Sequence, residues 1–162
     1  LIPSSTRYKR SFGRSEMMWF SSQGMVLHLL LAKSVSITHS VATGPDNPKT
    51  YQLLIEVSCP VRVTVGRLGE FDFPPGTYLY TGSAMRNYEA RIRRHLSSTK
   101  KMRWHVDYLL AAPGVSVSEV RRYNEPECLI NSRTLGQIVV PGFGASDCRA
   151  GCCSHLKRIG ED

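Results

Sequence analysis

At 162 residues and 41% hydrophobic content, the chain has the length for one folded domain around a single core. Lysine and arginine outnumber aspartate and glutamate by 21 to 13, a formal charge of +8 that favours a polyanionic partner. The apolar run at residues 25–32 is broken by His28 and falls far short of the about 20 residues of a membrane span, so no membrane partner is expected.

Residues 1–48 differ from the rest. They open on Leu1, mix serine-rich and basic stretches, and end in the turn-forming run Gly44-Pro45-Asp46-Asn47-Pro48. The expectation is a poorly defined leader, non-native or disordered, with Met17, Met18 and Met25 as alternative starts. A helix over 25–34 packed on the domain is the structural alternative. The basic residues Arg7, Lys9, Arg10 and Arg14 precede the apolar run, but no clean small-residue cleavage site follows. Five cysteines, an odd number, argue against a simple disulfide framework, and a reducing cytoplasm is the expected compartment.

The folded domain is expected over 49–162. Tyr51, Leu53, Ile55 and Val57 alternate against Gln52, Leu54 and Glu56, which is strand periodicity. A second alternating run covers 61–65, and Phe71-Asp72-Phe73 leads into Pro74-Pro75-Gly76. Either a hairpin or a three-stranded meander with the next strand follows.

That next stretch, 76–95, organises the chain. Tyr78 and Tyr80 share one face of a strand, and Gly82 is expected to end it, giving a ligand close access to Tyr80. From Tyr88 the spacing turns helical: Tyr88, Ile92 and Leu96 form an apolar stripe, with Arg91 and His95 on a neighbouring face. A guanidinium fork matches a phosphate, and an imidazole or phenol beside it can move a proton. Composition alone favours the plainer reading, an ordinary pair of strand aromatics beside a solvated basic helix.

Arg86, Arg91, Arg93, Arg94, Lys100, Lys101 and Arg103 stand against the single acid Glu89 over 86–103, a cluster suited to nucleic-acid phosphates. A second helix is expected over 104–112, holding His105 and Asp107 as polar anchors. A strand from Val115 toward Tyr123 follows, then a helix over 126–135 opened by Pro126. In the tail, Cys148, Cys152 and His155, with Cys128, offer the thiolate and imidazole donors zinc prefers. Their spacing is not that of a zinc-finger pair. Buried structural thiols, with Asp147 and His155 bonded to the glycine-rich loop, are the alternative.

The series Tyr80-Thr81-Gly82-Ser83-Ala84, then Arg91, then His95 resembles the GIY-YIG nuclease superfamily. Closer still is the resemblance to its small prokaryotic branch long labelled a domain of unknown function, also found fused to endonuclease III-type glycosylases. Residues 65–71, 104–110, 127–128 and 141–148 carry that branch's signatures. Departures are a turn before Arg91 that is one residue longer, and Lys49 where the first motif usually has Gly before its Tyr51.

The resemblance implies an α/β (α+β) fold, a small, mostly antiparallel three-stranded sheet flanked by helices. It implies metal-dependent hydrolysis of phosphodiesters, DNA above all, in repair, with a base-excision enzyme as a partner. Tyr51, Tyr80, Arg91 and His95 would be catalytic, and Glu127, at the start of its helix, would hold one Mg2+ or Mn2+. Glu125 and Asp107 are the alternative acids. Arg86, Arg93, Arg94, Lys100, Lys101 and Arg103 would bind nucleic acid. Two other readings stand: a catalytically silent nucleic-acid-binding module, and a zinc-stabilised interaction domain.

Overall fold

In the computed structural model, residues 36–37 and 48–160 are described. In chain order the elements are β1 (Ser36–Ile37), β2 (Thr50–Val57), β3 (Val61–Val65), β4 (Gly69–Phe73), β5 (Gly76–Ser83), α1 (Tyr88–Leu96), α2 (His105–Ala111), β6 (Val115–Tyr123), α3 (Glu127–Arg133) and β7 (Leu156–Ile159). Of the leader, β1 and Pro48 fall among the described residues; the other expectations for it lie outside them.

β2 is the axis of the main sheet, whose order is β1-β6-β2-β5-β7. β2, β5, β6 and β7 pair antiparallel, and β1 adds a two-residue parallel pair to β6. Alternation explains β2: Tyr51, Leu53, Ile55 and Val57 are at most 3% exposed and point into one core. Leu53, Ile55 and Val57 each contribute about 1.5–3 kcal/mol by leaving water. Ile92 of α1, Val106 and Leu109 of α2, and Phe143 of the C-terminal loop belong to the same core.

The expected class, a mostly antiparallel sheet flanked by helices, is borne out, with more strands than three. The added antiparallel strand is β7, folded back from the tail onto β5. Of the two arrangements expected for 61–81, the hairpin forms: β3 pairs β4 in its own two-stranded sheet. β5 pairs β2 instead, because Pro74 and Pro75, between β4 and β5, carry no N–H for a ladder. Gly82 does not end a strand. It lies inside β5 opposite Tyr51, where a Cβ would sit 2.6 Å from that ring. Lys49 carries an exposed side chain, and its backbone bonds Tyr123 at 3.2 Å and Ala84 at 2.7 Å, so no glycine is needed there.

Among the described residues, no helix is long and apolar enough to cross a membrane.

Candidate active site

Tyr51 and Tyr80 reach the site from neighbouring strands, and Arg91 and His95 from adjacent turns of α1. Asn87, left-handed at φ 55°, turns the chain into that helix, a conformation asparagine tolerates well. Tyr51, Tyr80, Ser83, Arg91, Arg103, Trp104, His105, Glu127, Gly144, Ser146 and Asp147 together line a cleft of about 170 Å3.

At its base, the Tyr51 hydroxyl lies 2.8 Å from His95 Nε2. Burial pushes the Tyr51 phenol well above its ordinary range, despite the nearby Arg91 charge. Burial likewise lowers the His95 pKa, partly offset by Asp107, so the ring is neutral at neutral pH. A neutral phenol and a neutral imidazole are therefore in contact, and the hydroxyl donates to Nε2. Nδ1 then carries the ring proton and points 3.6 Å from Asp107 Oδ1, an approach too long for a hydrogen bond.

Asp107 is fully buried and accepts 2.9 Å bonds from Arg94 on both oxygens, with the backbone N–H groups of Arg103 and Trp104 at 3.0 Å. Burial opposes its charge, but these donors and the nearby His95 hold it well below the usual carboxylate range. Arg94, expected on the nucleic-acid face, is thus turned inward, and it also donates to the Lys101 carbonyl. Lys100, also expected there, bonds the His95 carbonyl at 2.6 Å. Arg86, Arg93, Lys101 and Arg103 are exposed.

Arg91 donates to the Ser83 carbonyl at 2.7 Å, and its guanidinium lies 4.6 Å from the Trp104 ring centre. Arg94 and Arg103 flank the same indole at 4.4 and 5.0 Å. This cation–π packing holds three like charges around one surface.

Glu127, the first residue of α3, accepts the Ser83 hydroxyl on Oε2 and lies 2.8 Å from His155 Nδ1 through Oε1. Burial raises its pKa, but the His155 and Ser83 bonds and the Arg91 charge outweigh it and keep Glu127 ionised. The alternative acids sit otherwise: Asp107 is enclosed, and Glu125 faces Arg133 at 4.0 Å. Tyr78, paired with Tyr80 in sequence, is a core residue whose hydroxyl bonds the Pro74 carbonyl at 2.8 Å.

Beyond His155 lie three thiols. Cys128, Cys148, Cys152 and His155 bring one donor atom each to within 4.8 Å of one another, a group that could hold a metal ion. Burial pushes the Cys128 thiol up to about 12, whereas the Cys152 backbone N–H draws Cys148 down to about 6. His155 is buried, which lowers its pKa, but Glu127 and the thiols push it up to about 9. His155 bonds the glycine-rich loop as expected, through its backbone N–H, which donates to the Phe143 carbonyl at 2.8 Å.

Ser83, Trp104, His105, Ser146 and Asp147 line the cleft without having been singled out as site residues. Trp104 and His105 lie in one recognised signature stretch, and Ser146 and Asp147 in another. His105 Nδ1 accepts the Gly144 N–H at 3.0 Å, which leaves Nε2 as the protonated nitrogen.

The elements define a mixed α/β domain whose polar cleft gathers tyrosine, histidine, arginine and glutamate. A family model described as "Domain of unknown function DUF123" matches residues 50–162, and the chain belongs to that family. No curated protein and no solved structure matches it.

Proposed function

We propose that the chain is an endonuclease of the GIY-YIG type that hydrolyses phosphodiester bonds of nucleic acid, DNA in preference to RNA, in repair. The observation that carries this reading is the Tyr51–His95 contact, backed by Asp107, in one cleft with Arg91 and Glu127.

Tyr51 alone is a poor base, since burial disfavours its phenolate. His95 supplies the missing acceptor. As a water oxygen attacks phosphorus, its proton passes to the Tyr51 oxygen and the Tyr51 proton passes to His95 Nε2. The imidazolium so formed faces the ionised Asp107, which balances its charge. Arg91 stands against the negative charge that develops on the phosphoryl oxygens. The bond to the leaving oxygen breaks, and that oxygen takes up a proton from solvent. Tyr80 packs beside Tyr51, at 6.4 Å between ring centres, and its role is to hold that ring in place.

Glu127 offers the hard oxygen donor that Mg2+ or Mn2+ requires. Each of its oxygens makes one hydrogen bond and keeps a lone pair, so the residue fits one such ion. When bound, that ion supplies charge neutralisation at the scissile phosphate. The softer Cys128, Cys148, Cys152 and His155 set suits zinc instead, and free thiols suit the cytoplasm.

The test is cleavage of plasmid, branched DNA and RNA by the full chain, with and without Mn2+. Metal-dependent nicking of DNA is expected, slowed at least about 100-fold by Arg91→Ala, the loss typical of a removed transition-state donor, and slowed as well by Glu127→Ala, which removes the metal ligand. DNA that is bound but intact in every metal would overturn the reading in favour of a silent binding module.

A further inference from the structure

We infer that Cys128, Cys148, Cys152 and His155 form a closed zinc site whose histidine ligand positions Glu127, so that zinc loading sets the geometry of the cleft. The inference takes up the zinc assignment above and rests on Glu127 being a working residue of that cleft.

The donor set is complete for a structural site: three thiols and one imidazole, four ligands with no position left for water. The spacing fits as well. Cys128 Sγ and Cys148 Sγ are 3.6 Å apart, close to the about 3.8 Å expected for two thiolates sharing a tetrahedral ion at 2.3 Å. No disulfide joins them; all the cysteines are free.

An independent observation comes from His155. Its Nδ1 is committed to Glu127 at 2.8 Å, whereas its Nε2 is buried with no hydrogen-bond partner. A buried ring nitrogen left unpaired costs free energy, and a cation among the thiols would satisfy it. The arrangement is then carboxylate, histidine, metal, in which the outer carboxylate fixes the tautomer and raises ligand basicity. Coupling runs both ways. Zinc on Nε2 holds the ring so that Nδ1–H is aimed at Oε1, while the Ser83 hydroxyl holds Oε2. Without it, the ring is held from one side only.

The chain folding explains how residues 20 apart meet. Cys128 follows Glu127 at the start of α3, and the tail passes this point before β7 pairs with β5. The ion would therefore staple α3 to the last strand.

The experiment measures metal on the full-length chain, with no nucleic acid present. Purified protein is expected to hold one zinc per chain, and Co2+ in its place should give the intense absorption of a tetrahedral thiolate site. Competition with a chromophoric chelator then reads affinity. Glu127→Ala should weaken zinc about 10-fold or more, with Glu127→Gln losing less because the amide oxygen still accepts from Nδ1–H. Substoichiometric zinc, or an octahedral cobalt spectrum, would overturn the site. Unchanged affinity in Glu127→Ala would overturn the coupling. Because none of these readouts uses cleavage, a chain that binds zinc in this way but cuts nothing would refute the nuclease reading alone.

Discussion

Asp107 is a buried carboxylate that anchors the fold and, in the proposed mechanism, balances the charge on His95. It receives two charge-assisted bonds from Arg94 and two backbone N–H groups, and it faces His95 from behind. Its folded pKa lies below the unfolded value of about 3.9, so its stabilisation is complete above that pH and is lost as pH falls below it. His95 works in the same direction from higher pH: burial lowers its folded pKa, so stability falls once pH drops below about 6.5 and the unfolded ring alone gains a proton. Asp107→Asn leaves Arg94 without its counter-charge and should cost about 3 kcal/mol at pH 7. Thermal melts from pH 7 to pH 3 check it: the gap between variant and wild type should narrow below pH 4. A gap that stays constant to pH 3 would remove Asp107 as an ionised anchor.

Between elements, the decisive contact is β2 against β5, where Tyr51 lies over Gly82. A methyl at residue 82 would meet the ring and hydroxyl of Tyr51 at 2.6 Å, and the ring is 1% exposed with little room to yield. Gly82→Ala should therefore cost about 1–3 kcal/mol by overpacking. Under the proposed mechanism it should also slow cleavage about 100-fold, because the hydroxyl moves off His95 Nε2 while the exposed cations of α1 are untouched. Melting and cleavage measured beside DNA affinity separate these effects, and wild-type cleavage would refute the contact's role. This contact was only half legible in the sequence. The alternation of β2 and the four-residue spacing of α1 announce their buried faces, since one side of each meets the core. Gly82 looks like a strand end because nothing local reveals the tyrosine across the ladder. β7 was missed for a related reason: Leu156-Lys157-Arg158-Ile159 has no alternation, and its pairing with β5 comes from the tail folding back. The GIY-YIG resemblance is what points to Glu127, whereas its bond to His155 joins residues 28 apart and is visible only in the fold.

Across the whole molecule, the +8 charge is not equally available to a ligand. The sequence shows seven cations over 86–103, but ion pairing and burial sort them. Arg94 neutralises Asp107, Lys100 bonds a helix carbonyl, and Arg91 is half-buried against Trp104 inside the cleft. Arg86, Arg93, Lys101 and Arg103 remain exposed, and Arg103 also lines the cleft. A phosphate backbone laid across this region would displace counterions in proportion to the cations it meets. With those four engaged, log K should fall against log salt with a slope of about −3.6. Replacing Arg86 and Arg93 together with Gln should bring the slope to about −1.8 without changing the melting temperature, because neither makes an ion pair among the described residues. Arg94→Gln should do the reverse, lowering stability with little effect on the slope. DNA affinity measured from 50 to 200 mM salt, with melts of the same samples, distinguishes the two. A salt-independent affinity, or a double variant with the wild-type slope, would move the nucleic-acid path away from α1 altogether.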